Sequence, residues 1–186
     1  LVGMHNLARS GERLQPDFAW DVHQCEAQAK TAQYFAEYYK VPLFAIDMPI
    51  LPMTHDIEAG VKYLVAQMHD FIEWMQKVTK REYRDELLVE AAKREWQSSI
   101  EWSKLCDLQK NIPAPMDYRL LNSLAALAVT SKHLKGIPEL MAEIVAETED
   151  RVRDGVAAMP YERCRLLHEG QPPYYYPPLL KLPRDY

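Results

Sequence analysis

The sequence is poor in the residues that mark several common chemistries. It has only three cysteines, Cys25, Cys106 and Cys164, far apart and with no C-x-x-C. An odd, scattered set argues against a disulfide framework and against a zinc site of ordinary spacing, and fits free thiols in a reducing compartment. Six glycines in 186 residues leave no G-x-G-x-x-G and no Walker loop, so the chain has no phosphate cradle of its own. There is no H-E-x-x-H and no G-x-S-x-G. No apolar run is long enough to span a bilayer, and no basic leader precedes one. The net charge of -5 lacks the basic excess that a nucleic-acid backbone demands. A cytoplasmic protein without membrane or nucleic-acid partners is the expectation. The text opens at Leu1-Val2-Gly3-Met4, without an initiating methionine, and reads as a piece of something longer.

What is present is a composition with 48% hydrophobic and 26% charged residues, enough for one ordinary core or two small ones. Phe18 to Val22 alternates apolar and polar after Pro16-Asp17 and predicts a strand. Gln24 to Lys40 predicts a helix, and Val41 to Ile46 a strand buried on both faces. Strand, helix, strand is the unit of a parallel sheet. Ile57, Val61, Leu64, Val65, Met68, Phe71, Ile72, Met75 and Val78 then form a helical stripe, with Thr54 as candidate cap. A second helix is expected from about Asp85 to Leu108, with Leu88, Ala91, Trp102 and Leu105 inward. Asn111 to Pro115 breaks it, Asp117 caps a third, Gly136 ends that one and Pro138 opens a fourth. Arg163 to His168 reads as a strand, and Leu179-Leu180 as a helix start. The expected fold class is α/β with a helical subdomain, Rossmann- or flavodoxin-like parallel-sheet lobes flanking the helices. Its divisions are 1–50, 51–160 and 161–186.

Cys25 is the residue of greatest chemical interest. It follows the first strand at the N-terminal edge of a helix, where ligands bind in open α/β sheets and where a thiolate is stabilised. The competing reading is a simply buried thiol. Cys106 and Cys164 fit core packing. His23, beside Cys25, is either a hydrogen-bond donor to a ligand or a solvated loop histidine. Asp47 is expected to fix a turn, and Trp74, Trp96 and Trp102 to be core.

Several short motifs occur in a recognisable order. They are Pro16-Asp17, Cys25, Tyr38 to Pro42, Ile46 to Pro49, Tyr63 to Gln67, Ile112 to Asp117, and Tyr161 to Pro173. Together they resemble the benzoyl-CoA reductase / 2-hydroxyacyl-CoA dehydratase family along nearly the whole chain. Tyr174 in place of a usual Trp, Lys80 in place of a usual Gly and Cys164 in place of an aromatic depart from its pattern. The resemblance implies two α/β lobes plus helices, and a [4Fe–4S] cluster held by three cysteines. Cys25 maps onto the second of these; the first and third would lie before Leu1 and after Tyr186. It further implies a homologous second subunit, a separate ATP-hydrolysing iron–sulfur activator protein, and one-electron reduction of an acyl-CoA or aryl-CoA thioester. His23 and Gln24 would line the substrate crevice. The motifs around Asp117 and Gly170 favour the benzoyl-CoA reductase branch; the alternatives are an (R)-2-hydroxyacyl-CoA dehydratase subunit and a non-catalytic partner that relays electrons or serves as scaffold.

Overall fold

The computed structural model describes residues 16–49, 57–166 and 176–181. The chain divides into two compact units, Leu1–Tyr83 and Arg84–Tyr186.

The first unit contains strand β1 (Ala19–His23), helix α1 (Glu26–Tyr39), strand β2 (Leu43–Asp47) and helix α2 (Ile57–Thr79). β1 and β2 pair in parallel, as the alternating and apolar segments predict, in the register Ala19–Leu43, Trp20–Phe44, Asp21–Ala45, Val22–Ile46 and His23–Asp47. α1 stops at Lys40, whose left-handed backbone (φ 53°) lets its N–H reach Glu37 O and leaves Val41 N–H to bond Ala36 O. That tight reversal returns the chain to β2. Asp21 is buried on β1 and accepts a hydrogen bond from Gln28 Nε2 at 2.9 Å, which ties α1 to the strand. α2 meets the sheet through aromatic rings: Phe71 lies 5.4 Å from Trp20 and 5.3 Å from Phe44, and Trp74 lies 5.4 Å from Phe44 and 5.7 Å from Phe18. The stripe that contacts the strands thus runs through Tyr63, Gln67, Phe71 and Trp74. Ile57, Val61, Val65 and Met68, read from periodicity as part of the inward face, are exposed. The Thr54 cap lies outside the described residues.

The second unit is helical: α3 (Asp85–Leu108), α4 (Tyr118–Thr130) and α5 (Ile137–Arg153), with a 3-10 turn at Pro177–Lys181 packed on α4. Leu105, Met141 and Val145 form its buried core, surrounded by Trp102, Leu108, Leu124, Leu127 and Ile144. Asp117 caps α4, accepting Leu120 N–H at 2.8 Å, as the sequence predicts. α4 ends at Thr130, six residues before Gly136, because Ser131 to Lys135 form a turn tied to α3. Arg94 Nε donates to His133 O at 2.7 Å and the buried Ser98 hydroxyl donates to Lys132 O at 3.1 Å. Gly136 instead opens α5 at φ +82°, with Pro138 in the first turn.

The expected α/β class with Rossmann- or flavodoxin-like lobes is corrected. Among the described residues there is one two-stranded sheet, and the rest of the regular structure is helix. Arg163 to Leu166 forms no strand. The Arg165 side chain in it reaches back past the end of α3: Nη1 donates to Gln109 O at 2.8 Å, Nη2 bonds Asn111 O, and Nε pairs with Glu162 Oε1 at 2.5 Å. Leu167 and His168 lie outside the described residues. No described helix is long and apolar enough to cross a membrane.

Candidate functional site

Parallel strands place their carboxyl ends on one side of a sheet, and the register closes β1 and β2 on the same rung, His23 beside Asp47. The chain leaving each strand borders an open cavity of about 510 Å³, lined by His23, Gln24, Cys25, Glu26, Ala29, Asp47, Met48 and Pro49. His23, Gln24 and Cys25, singled out in the sequence, are therefore brought to one place.

Cys25 is the residue that caps α1, in extended conformation (φ −148°, ψ 157°), and is exposed. Its carbonyl accepts Ala29 N–H at 3.1 Å, while its side chain makes no capping hydrogen bond. The thiol is thus available to the cavity and is not spent on the helix. Apolar burial, the competing reading for Cys25, does not describe it.

His23 Nδ1 lies 3.8 Å from Asp47 Oδ1, both side chains partly exposed, a distance for an ion pair and not for a hydrogen bond. Asp47 is the best-held residue of the site. Its N–H donates to Gln67 Oε1 at 2.7 Å, and Gln67 Nε2 donates to its carbonyl at 2.9 Å. Tyr63 Oη donates to Asp47 Oδ2 at 3.2 Å. That hydrogen bond, with partial burial and the negative charge of Asp47, raises the Tyr63 phenol above its ordinary value. Among the described residues the Asp47 side chain meets Tyr63 and His23, and its main chain, at the end of β2, is gripped by α2. The Tyr63-x-x-x-Gln67 spacing was visible in the sequence as a motif, but its target was not.

Cys106 and Cys164 are exposed, not packed in a core as expected. The Cys106 thiol is pushed up by partial burial and by the neighbouring Asp107. Among the described residues no group of three or more His, Cys, Asp or Glu side chains could hold a metal ion. A self-contained metal centre is therefore absent from this set, and Cys25 stands as a single thiol.

Two further motifs meet each other. The Ile112–Pro113 peptide is cis, and Ala114 N–H donates to Glu162 Oε2 at 2.8 Å. Ala158 N–H donates to Ala114 O at 2.8 Å, and Arg151 Nε donates to Pro115 O at 3.1 Å. The Pro-rich turn and the Glu162-to-Arg165 segment form one clamp. Arg165 and the Ala114 N–H together hold the Glu162 carboxyl below its usual range.

Comparison with known proteins gives this arrangement its context. Residues 4–183 match the family described as 2-hydroxyglutaryl-CoA dehydratase, D-component, and the chain belongs to that family. It is 28% identical over 160 residues to the (R)-2-hydroxyglutaryl-CoA dehydratase subunit alpha of Acidaminococcus fermentans, covering 84% of this chain and 33% of that protein. It is 25% identical over 158 residues to the (R)-phenyllactyl-CoA dehydratase alpha subunit of Clostridium sporogenes, covering 83% of this chain and 39% of that one. The chain thus spans between a third and two fifths of the length of the curated relatives it matches. Both are dehydratase subunits, which overturns the benzoyl-CoA reductase branch expected from the motifs near Asp117 and Gly170. Asp117 is a helix cap, common to any protein with that turn, and Gly170 lies outside the described residues. The picture of an aryl-CoA reductase is corrected with it by the dehydratase relatives, and a metal centre built within the described residues is corrected by their donor set.

Proposed function

We propose that the chain is part of an alpha-type subunit of an (R)-2-hydroxyacyl-CoA dehydratase, and that its contribution to catalysis is made at the cavity beyond β1 and β2. The observation that carries this reading is the free Cys25 thiol in the cavity wall, flanked by His23 and Gln24, in a chain of this family. The names of the two relatives supply the substrate class, since 2-hydroxyglutaryl and phenyllactyl thioesters are both 2-hydroxyacyl-CoA compounds.

Thiolates are the ordinary ligands of iron–sulfur clusters. The exposed, uncommitted Cys25 fits one such ligand, and the described residues form no group of three or more donors that could hold a metal by themselves. We assign Cys25 as one ligand of a [4Fe–4S] cluster completed by sulfurs from outside the described residues. When bound, such a cluster supplies one-electron chemistry at a potential set by its surroundings. This chain's own residues present the Cys25 sulfur from the residue that caps α1, at the cavity wall. They also line the crevice with the hydrogen-bonding groups of His23 and Gln24 for a thioester or hydroxyl oxygen. A homologous second subunit and an ATP-hydrolysing activator protein belong to the same proposal.

The test is iron and sulfide analysis of the full-length protein with its partner, purified without oxygen, for wild type and Cys25→Ser, beside turnover of an (R)-2-hydroxyacyl-CoA. The expected outcome is that Cys25→Ser loses cluster iron and dehydration together. An active wild-type complex free of iron, or a Cys25→Ser protein with unchanged iron, sinks the assignment.

A further inference from the structure

We infer that Gln67 and Tyr63 are positioning residues for the cavity, fixing from α2 the Asp47-Met48-Pro49 wall that borders it together with Cys25. The inference rests on the reading of this cavity as the functional one, and adds two residues outside its lining.

β2 has one described ladder partner, and its last rung is Asp47. Past that rung the wall consists of Met48 and Pro49, and proline has no N–H with which to join a ladder. What holds Asp47 therefore holds the wall. The Gln67 carboxamide engages both main-chain groups of Asp47, at 2.7 and 2.9 Å, as a neighbouring strand would. Tyr63, one helical turn earlier on the same face, takes Asp47 Oδ2 at 3.2 Å. The opposite oxygen faces His23. α2 is itself seated on the strands by Phe71 and Trp74, so the two polar side chains project from a fixed base. These hydrogen bonds are exposed to water, where each adds little to global stability. Their effect is geometric: they define where β2 ends and hence the width of the opening beside Cys25.

The experiment uses the full-length protein freed of iron with a chelator, so that no metal shields the thiol, and measures alkylation of Cys25 by iodoacetamide, resolved by peptide mass spectrometry, with Cys106 and Cys164 as internal references. Gln67→Leu removes both main-chain contacts, and Tyr63→Phe removes only the hydroxyl. Gln67→Leu is expected to raise the Cys25 rate on the order of threefold or more through local opening, with the reference cysteines unchanged. Tyr63→Phe is expected to act in the same direction and less. An unchanged Cys25 rate in both variants, or a rise shared equally by all three cysteines, overturns the inference. A selective rise at Cys25 in a protein whose iron is indifferent to Cys25→Ser would retain the positioning role and remove the cluster assignment, so the two fail separately.

Discussion

The two units solve the problem of stability differently. In the second, Leu105, Met141 and the side chain of Thr148 are shut off from solvent, and three helices close around them. Among the described residues of the first, the buried side chains are Ala36, Ile46 and a carboxylate, Asp21. Its strands are held by ring contacts on one face and by side-chain hydrogen bonds at their ends. Among the described residues the larger buried core lies in one unit and the candidate cavity in the other. Crevices need surface, and surface taken from a core lowers its stabilisation.

The largest expected effect tests the second unit. Met141→Ala removes a fully buried side chain and is expected to destabilise by about 2–5 kcal/mol in a denaturant titration. A loss below ~1 kcal/mol would mean that the core is less closed than the contrast requires. Asp117→Ala removes the cap of α4 and is expected to cost about 1 kcal/mol, read from the same titration. Lys80→Gly sharpens the contrast from the other side. Lys80 holds φ +57° at the end of α2, where the related pattern has glycine. Relief of the left-handed strain, roughly 1–2 kcal/mol, exceeds the added chain entropy of glycine, roughly 0.5–1 kcal/mol. The variant should therefore be more stable by about 0.5–1 kcal/mol.

The smallest effect concerns pH. Glu162 titrates below its ordinary value because Arg165 and the Ala114 N–H favour its charged form. A carboxyl depressed on folding contributes stability above its unfolded value and loses it as pH falls through the folded one. Stability should thus decline below the usual glutamate range, and Glu162→Gln should flatten that part of the profile. The Glu162 carboxylate is half-buried but its partner Arg165 is exposed, so the change is small and salt-sensitive. A profile identical in both proteins would exclude the clamp as a source of acid sensitivity.

Much of the secondary structure was legible because its signals are local. Alternation gave β1, an apolar run gave β2, and Asp117 and the prolines marked helix limits. The inward face of α2 was not legible. Hydrophobicity pointed to Val61, Val65 and Met68, while Tyr63 and Gln67 are chosen by a partner 16 and 20 residues upstream, in β2. The supposed strand at Arg163 failed for a similar reason. Among the described residues that segment has no neighbouring strand to pair with, and a local pattern does not reveal whether one exists. Of the candidate site, position between strand and helix singled out Cys25, and adjacency to it His23 and Gln24, which line the same cavity. The grip on Asp47 needed coordinates.

The shared last rung of the two strands has a consequence for how this chain can vary. Side chains alternate across a strand, so sliding β2 by one residue would exchange the faces of Ile46 and Asp47 and remove the carboxylate from Tyr63. The connector from Lys40 to Pro42 meters that alignment. Its length is inherited by the cavity as a fixed dimension, and a single codon inserted there would be expected to do more harm than replacing any one of its three residues.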